Sequence, residues 1–343
     1  METQQRLYYL DNVCGIMIFQ VILGHQVGML GYHNAACDFI YKTLSFFMFW
    51  FFFKGGMMFR NKNVIETIKK SAKRLLVPYL VFMLLGLICE AYFESLGKAP
   101  LSIPVFLYYK FWYIVNHSYL ESVVPCWFLL SLFIVRVVFQ MCIKIRIPPV
   151  IVVFVSLVTA YFVYFCTYQS DCSYLLHWGN GHSWDLHIPF YLGNVSLGLM
   201  CYSLGYILRE KQYSKCFFGG AVVLFVIKYF VWADFDFRAD DSLKYNYFLA
   251  VLYGVSGCVL FNNLFRQIAN VRIPVLTHIG ENSVIYYLVH YPVLYFITQR
   301  FYGTVFNLSP EIRFVIFSLF LIIVLWISGI VFRNKRISFL FGA

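Results

Sequence analysis

Apolar residues fall along this chain in successive runs of about twenty, separated by short polar interruptions, which is the pattern of helices crossing a hydrocarbon core about 30 Å thick. Ten runs predict ten helices, over 8–30, 39–59, 75–97, 126–143, 148–168, 187–208, 216–234, 245–266, 281–302 and 312–332. The stretch 98–125 competes for the fourth place. Lys98, Pro100, Pro104, Lys110, Asn116, His117 and Glu121 break up its apolarity, so it reads as an outer loop with room for a short interfacial helix. The expected fold is all-α, a polytopic integral membrane protein forming one domain over 1–343.

Composition sharpens this picture. Only 13% of the 343 residues are charged and 61% are hydrophobic, against about 25% charged in ordinary globular domains, which excludes a soluble reading. The net charge of +11 does not point to nucleic acid, because the basic residues sit at the ends of apolar runs rather than in one patch. With both termini placed in the cytoplasm, seventeen of the 27 basic residues fall on that side and six on the other. The positive-inside bias then assigns both termini to the cytoplasm of a multi-pass protein of the cell (inner) membrane, in contact with membrane lipids. Lys42, Lys54, Arg136 and Lys228 fall within spans.

Most of the ten cysteines lie inside or beside apolar runs, where Cys packs as a small hydrophobe. Cys37 and Cys172 fall in outer loops, where an oxidising compartment permits a bridge. No metal-ligand spacing appears, and Asp234, Asp236, Asp240 and Asp241 read as a solvated loop, so no metal is expected. Met1 to Arg6 lacks the basic region of a removable signal peptide, so the first apolar run is expected to stay as a membrane helix.

Ionisable groups inside spans are costly and mark functional sites or wet cavities. The first run carries Asp11, Cys14, Gln20 and His25. Asp11 and His25 return to within about 40° of each other on the helix and stand about 21 Å apart along its axis. His25 is a candidate general base, because a neutral imidazole exists at physiological pH; an interhelical hydrogen bond is the plainer use of such a residue. His290 in the ninth run admits the same two readings. Lys54 precedes Gly55 and Gly56, where it either snorkels to the interface or meets an anionic ligand. The cluster Lys69, Lys70, Lys73, Arg74 suits anionic lipid or a phosphate-rich donor. The outer stretch DCSYLLHWGNGHSWD, with His182 and Trp184, sets aromatic rings beside polar groups, as a carbohydrate requires and as an interfacial aromatic belt also provides. No P-loop, GxGxxG, HExxH or GxSxG motif accompanies them.

Six segments come in a telling order: YLDNVCGIMIFQVILGH, FFMFWFFFKGGMMFR, KKSAKRLLVPYL, PCWFLLSLF, GNVSLGLMCYSLGYILR and HIGENSVIYYLVHYPVL. In that order the chain resembles the membrane acyltransferase 3 family over nearly its whole length. The likeness is strongest to polysaccharide O-acetyltransferase members without an extracytoplasmic hydrolase-like domain. The resemblance implies an enzyme that moves an acyl group, usually acetyl, from a cytoplasmic acyl-CoA such as acetyl-CoA to a hydroxyl of a glycan or lipid-linked sugar at the outer face.

On that resemblance the family's essential histidine falls on His25, with Asp11 on the same face, and the basic motif falls on Lys70, Lys73 and Arg74, which would hold CoA phosphates. Trp127, His182, Trp184 and His290 would meet the acceptor. Two positions depart from the family pattern. Cys14 stands where an Arg is usual, eleven residues before the histidine, and the usual Arg-x-x-Arg is here Lys70-x-x-Lys73 followed by Arg74. Lys54 is a candidate replacement for the missing cation. A transporter or flippase of lipid-linked glycans would also need ten spans, but no internal repeat is visible between the halves. A catalytically decayed scaffold of a polysaccharide-synthesis complex is the third reading.

Overall fold

The computed structural model describes residues 7–97, 102–168, 190–231, 243–268, 271–303, 307–332, 334 and 336–342. The loops carrying Cys172, His182 and Trp184 and the aspartates 234–241 lie outside the described residues. Among the described residues the chain is helical throughout, with no strand.

The helices are α1 (Tyr8–Leu30), α2 (Ala35–Leu44), α3 (Phe47–Met57), α4 (Val64–Ser71), α5 (Val77–Ser95), α6 (Ile103–His117) and α7 (Cys126–Lys144). They continue with α8 (Pro149–Tyr168), α9 (Phe190–Leu208), α10 (Lys215–Phe230), α11 (Leu243–Ile268), α12 (Pro274–Glu281), α13 (Ser283–Arg300) and α14 (Pro310–Val331). Among the described residues six helical segments are long and apolar enough to cross a bilayer: Tyr8–Leu30, Ala35–Met57, Val64–Ser95, Cys126–Lys144, Tyr247–Ile268 and Pro310–Val331. Ile103–Val115, Pro149–Val163 and Gly193–Leu208 are shorter apolar helices.

Two departures from the sequence expectation stand out. The run 39–59 is broken into α2 and α3 at Ser45 and Phe46. There the buried Lys228 of α10 donates from Nζ to Ser45 Oγ at 2.8 Å and to the Thr43 carbonyl at 3.4 Å, and a cation at a helix C-terminus offsets the carbonyls that the break leaves open. The third run is entered through α4 and a π turn, Ala72–Leu76, that carries Lys73 and Arg74. The stretch 98–125, where the sequence leaves room for a short helix, holds the fifteen-residue α6, tied to α5 by an ion pair between Lys110 and Glu90 at 2.7 Å.

The aromatic run of α3 explains the core. Phe46, Phe49, Phe52 and Phe53 are all buried, and they press against Gly257 and Gly254 of α11 and Gly198 and Gly205 of α9. A Cβ at Gly56 would stand inside contact distance of the Tyr202 carbonyl, and one at Gly205 inside that of Phe53. Helices in lipid gain little from burying apolar surface against one another, so small residues that allow backbone approach, and the dispersion contacts that follow, hold them together. The same device joins α1 to α12. Gly15 abuts the Leu276 carbonyl and Gly280 that of Asp11, while Asn12 bonds Thr277 at 2.8 Å and the Val271 carbonyl at 3.0 Å.

Candidate functional site

His25 lies in the last third of α1 and His290 at the middle of α13, and the parallel course of these helices brings their rings to a centroid distance of 5.4 Å. Tyr291 meets His25 edge-on at 4.8 Å. His290 is fully buried and His25 half-buried, so only the latter opens to a substrate. The Nδ1 of His290 lies 3.0 Å from the Tyr286 carbonyl. A carbonyl can only accept, so Nδ1 carries the proton and Nε2 keeps its lone pair. That Nε2 is buried and has no hydrogen-bond partner. A buried lone pair left unmatched beside a second imidazole is a costly arrangement, and it suits a site where a proton is taken up and returned.

A polar network braces the neighbourhood. The Glu90 carboxylate accepts from the Ser122 amide and hydroxyl, both at 2.8 Å, through Oε1 and pairs with Lys110 through Oε2. Glu90 is only 2% exposed. Tyr287 donates to the Pro125 carbonyl at 2.9 Å, so α5, α6 and α13 all hold the segment 118–125 in place. The Tyr287 ring stands 6.2 Å from that of His290, which joins this network to the histidine pair. The sequence reading passed over Glu90, although it is an acidic residue inside an apolar run and thus carried the usual signal of an intramembrane functional group.

A second polar site lies at the end of the bundle where the basic residues gather. A cavity of about 140 Å³ is lined by Arg60, Lys62, Lys70, Ser71, Arg136, Gln140 and Tyr202, among others. Gln140 of α7 orders its wall, donating to Asn61 and to the Lys62 carbonyl, both at 2.8 Å, and accepting from the Lys62 amide at 3.2 Å. Ser71 is 1% exposed and its hydroxyl has no partner. The acidic residue beside it, Glu66, is shared between Lys70 at 2.7 Å and Lys62 at 3.2 Å. Four cations, two of them shared with Glu66, around a buried hydroxyl make this cavity a candidate for an anion, and charge-assisted bonds of this kind suit phosphate oxygens. Arg136 was visible in sequence as a cation within a run, but nothing there linked it to the basic loop.

The structure thus brings together His25 and His290, and places Lys70 at the anion cavity. Lys73 and Arg74 are exposed on the π turn beside it, with Gly342 of the C-terminal segment packed on the Arg74 carbonyl. Asp11 lies at the α1–α12 crossing, and fourteen residues of helix separate it from His25 by about 21 Å, too far to share a proton. The Lys54 ammonium sits over the Trp50 ring, 5.1 Å from its centroid. Cys14 and Trp127 are buried in the core, the latter in the first turn of α7. Cys37 lies in the first turn of α2, where Asn34 caps its amide. His182 and Trp184 are outside the described residues.

No curated protein and no solved structure matches the chain. The acyltransferase domain of the acyltransferase 3 family matches residues 7–333, nearly the whole of this helical chain, and the protein belongs to that family.

Proposed function

We propose that this membrane acyltransferase moves an acyl group, acetyl in the first instance, from cytoplasmic acyl-CoA to a hydroxyl of a cell-envelope polysaccharide or sugar. The observation that carries the reading is the pair of imidazoles, His25 and His290, enclosed by α1 and α13. In this reading α1 starts on the cytoplasmic side, both termini are cytoplasmic, and ten crossings of the cell membrane complete the bundle, which fits the excess of basic residues at the end where the anion cavity lies.

His25 takes the proton of the acceptor hydroxyl as its oxygen attacks the thioester carbonyl. The tetrahedral oxyanion then collapses, the carbon–sulfur bond breaks, and the departing thiolate recovers the proton from the imidazolium. The neighbouring ring of His290, held as the Nδ1–H tautomer by Tyr286, keeps an acceptor lone pair beside that proton path. The phosphates of the donor are assigned to the cavity of Arg60, Lys62, Lys70 and Arg136, with Lys73 and Arg74 at its approach and Lys54 as a further cation on α3. A charged CoA cannot cross the bilayer, so the thin pantetheine arm has to reach from that cavity into the bundle. The loop with His182 and Trp184 and the buried Trp127 belong to the acceptor side. No step is assigned to Asp11.

The reading is tested by acyl transfer from radiolabelled acetyl-CoA to envelope polysaccharide in membranes carrying wild type or His25→Ala, with folding of the variant checked by thermal stability in detergent. Label that depends on His25 is expected. A well-folded wild type that labels nothing from acetyl-CoA or succinyl-CoA in its native envelope refutes it.

A further inference from the structure

A cleft of about 710 Å³ runs between α1, α12 and α14, away from the anion cavity. Its walls are mostly apolar, with Phe19 and Leu23 on α1, Val275 on α12, and Ile322, Leu325 and Trp326 on α14, and His278 and Asn34 among the polar members. At the end of α1 that carries Leu30 the cleft is roofed. Gln26 donates to Ser318 Oγ at 2.6 Å and to the Phe314 carbonyl at 3.2 Å, Arg313 donates to the Leu30 carbonyl at 2.7 Å, and Tyr32 stacks on Phe314 at 4.4 Å. At the opposite end stands Arg272, exposed, just before α12. Ile322 and Trp326 are 63% and 58% exposed although they face the cleft.

We propose that the cleft holds an acyl chain of an anionic phospholipid from the cytoplasmic leaflet, with its phosphate at Arg272. The assignment of the leaflet rests on the orientation proposed above. A cavity of this size falls in the range of small-ligand sites, about 300–1,000 Å³, and an apolar lining at membrane depth takes hydrocarbon, not water. The cation stands at the unroofed end, so charge complementarity sets the direction: headgroup at Arg272, chain running towards the roof of Tyr32 and Phe314. The occupant also matters to the reaction site. Tyr286 lines the cleft, and its carbonyl sets the tautomer of His290, so a chain against Tyr286 supports the histidine pair from behind.

The test uses full-length protein purified in detergent, stripped of lipid, and titrated with phosphatidylglycerol or phosphatidylcholine of identical chains while the thermal midpoint is read. Native mass spectrometry before stripping identifies any retained lipid. Wild type is expected to retain a phospholipid and to be stabilised at lower concentrations of phosphatidylglycerol than of phosphatidylcholine. Arg272→Gln, at an exposed position, is expected to raise the phosphatidylglycerol concentration for half effect about fivefold, the worth of one cation near a charged headgroup, and to leave the phosphatidylcholine response unchanged. Ile322→Trp, which narrows the cleft from an exposed position, is expected to weaken both responses with helicity retained. Equal responses to the two lipids in wild type, both variants titrating like wild type, or retention of an isoprenoid phosphate in place of phospholipid would each overturn the proposal.

Discussion

Replacing Glu90 by Gln is the sharpest test of how the histidine site is braced. The carboxylate is buried, accepts two bonds from Ser122 and pairs with Lys110 at 2.7 Å. At that distance, with an effective dielectric of about 20, the gross attraction is about 6 kcal/mol, most of it offset by the desolvation of both ions. Removing one partner of a buried pair costs about 3–5 kcal/mol, because the other charge is left uncompensated. Gln keeps one carbonyl for Ser122, and Lys110 retains 17% side-chain exposure through which its ammonium reaches water. Both place the expected loss at the low end, about 3 kcal/mol. Lys110→Met should also destabilise, whereas the double variant Glu90→Gln, Lys110→Met should return to within about 1 kcal/mol of wild type, since the unpaired charge is gone. Equilibrium unfolding in mixed detergent micelles, followed by helicity, measures all four proteins, and acyl-transfer rates should follow the same order. A Glu90→Gln loss below about 0.5 kcal/mol, or a double variant whose loss equals the sum of the singles, would refute the argument.

Other expectations follow from single contacts. His290→Ala should lower kcat by about a hundredfold or more with little change in KM for acyl-CoA, measured by initial rates; a change confined to KM would remove His290 from the proton path. Arg136→Ala should raise KM for acyl-CoA about tenfold, the loss of one charge-assisted bond to phosphate, while leaving kcat close to wild type. Gly56→Ala should cost about 1–3 kcal/mol or more, because its methyl meets the backbone of Tyr202 and no rotamer relieves it; Gly219→Ala, which has open space around it, should be neutral, and thermal midpoints compare the two. Lys228→Met should destabilise by about 1–3 kcal/mol by removing the cation from the Thr43 carbonyl and from Ser45, which keeps only its bond to the Lys42 carbonyl, read from the same melts.

Of the candidate site, His25 was legible as an ionisable residue in an apolar run, and His290 in the same way. Nothing local said that they face each other, because their meeting depends on the register of α1 against α13, 265 residues apart in the chain. Lys70 stood out in a basic cluster, yet its partners in the cavity, Arg60 and Arg136, come from other elements. Asp11 shares a face with His25, and the same helical arithmetic already sets them about 21 Å apart along the axis; what only the fold adds is that Asp11 lies against Gly280 of α12.

Helix content and the membrane setting follow from sequence alone, because runs of about twenty apolar residues have to satisfy their backbone polar groups internally once in lipid. The polar groups followed a different rule. The break between α2 and α3, the Glu90–Lys110 pair and the imidazole pair each depend on which helix lies beside which, and that is decided by close approach at glycines such as Gly56, Gly205 and Gly280. A glycine carries no apolar signal of its own, so only the folded bundle shows which neighbour it admits.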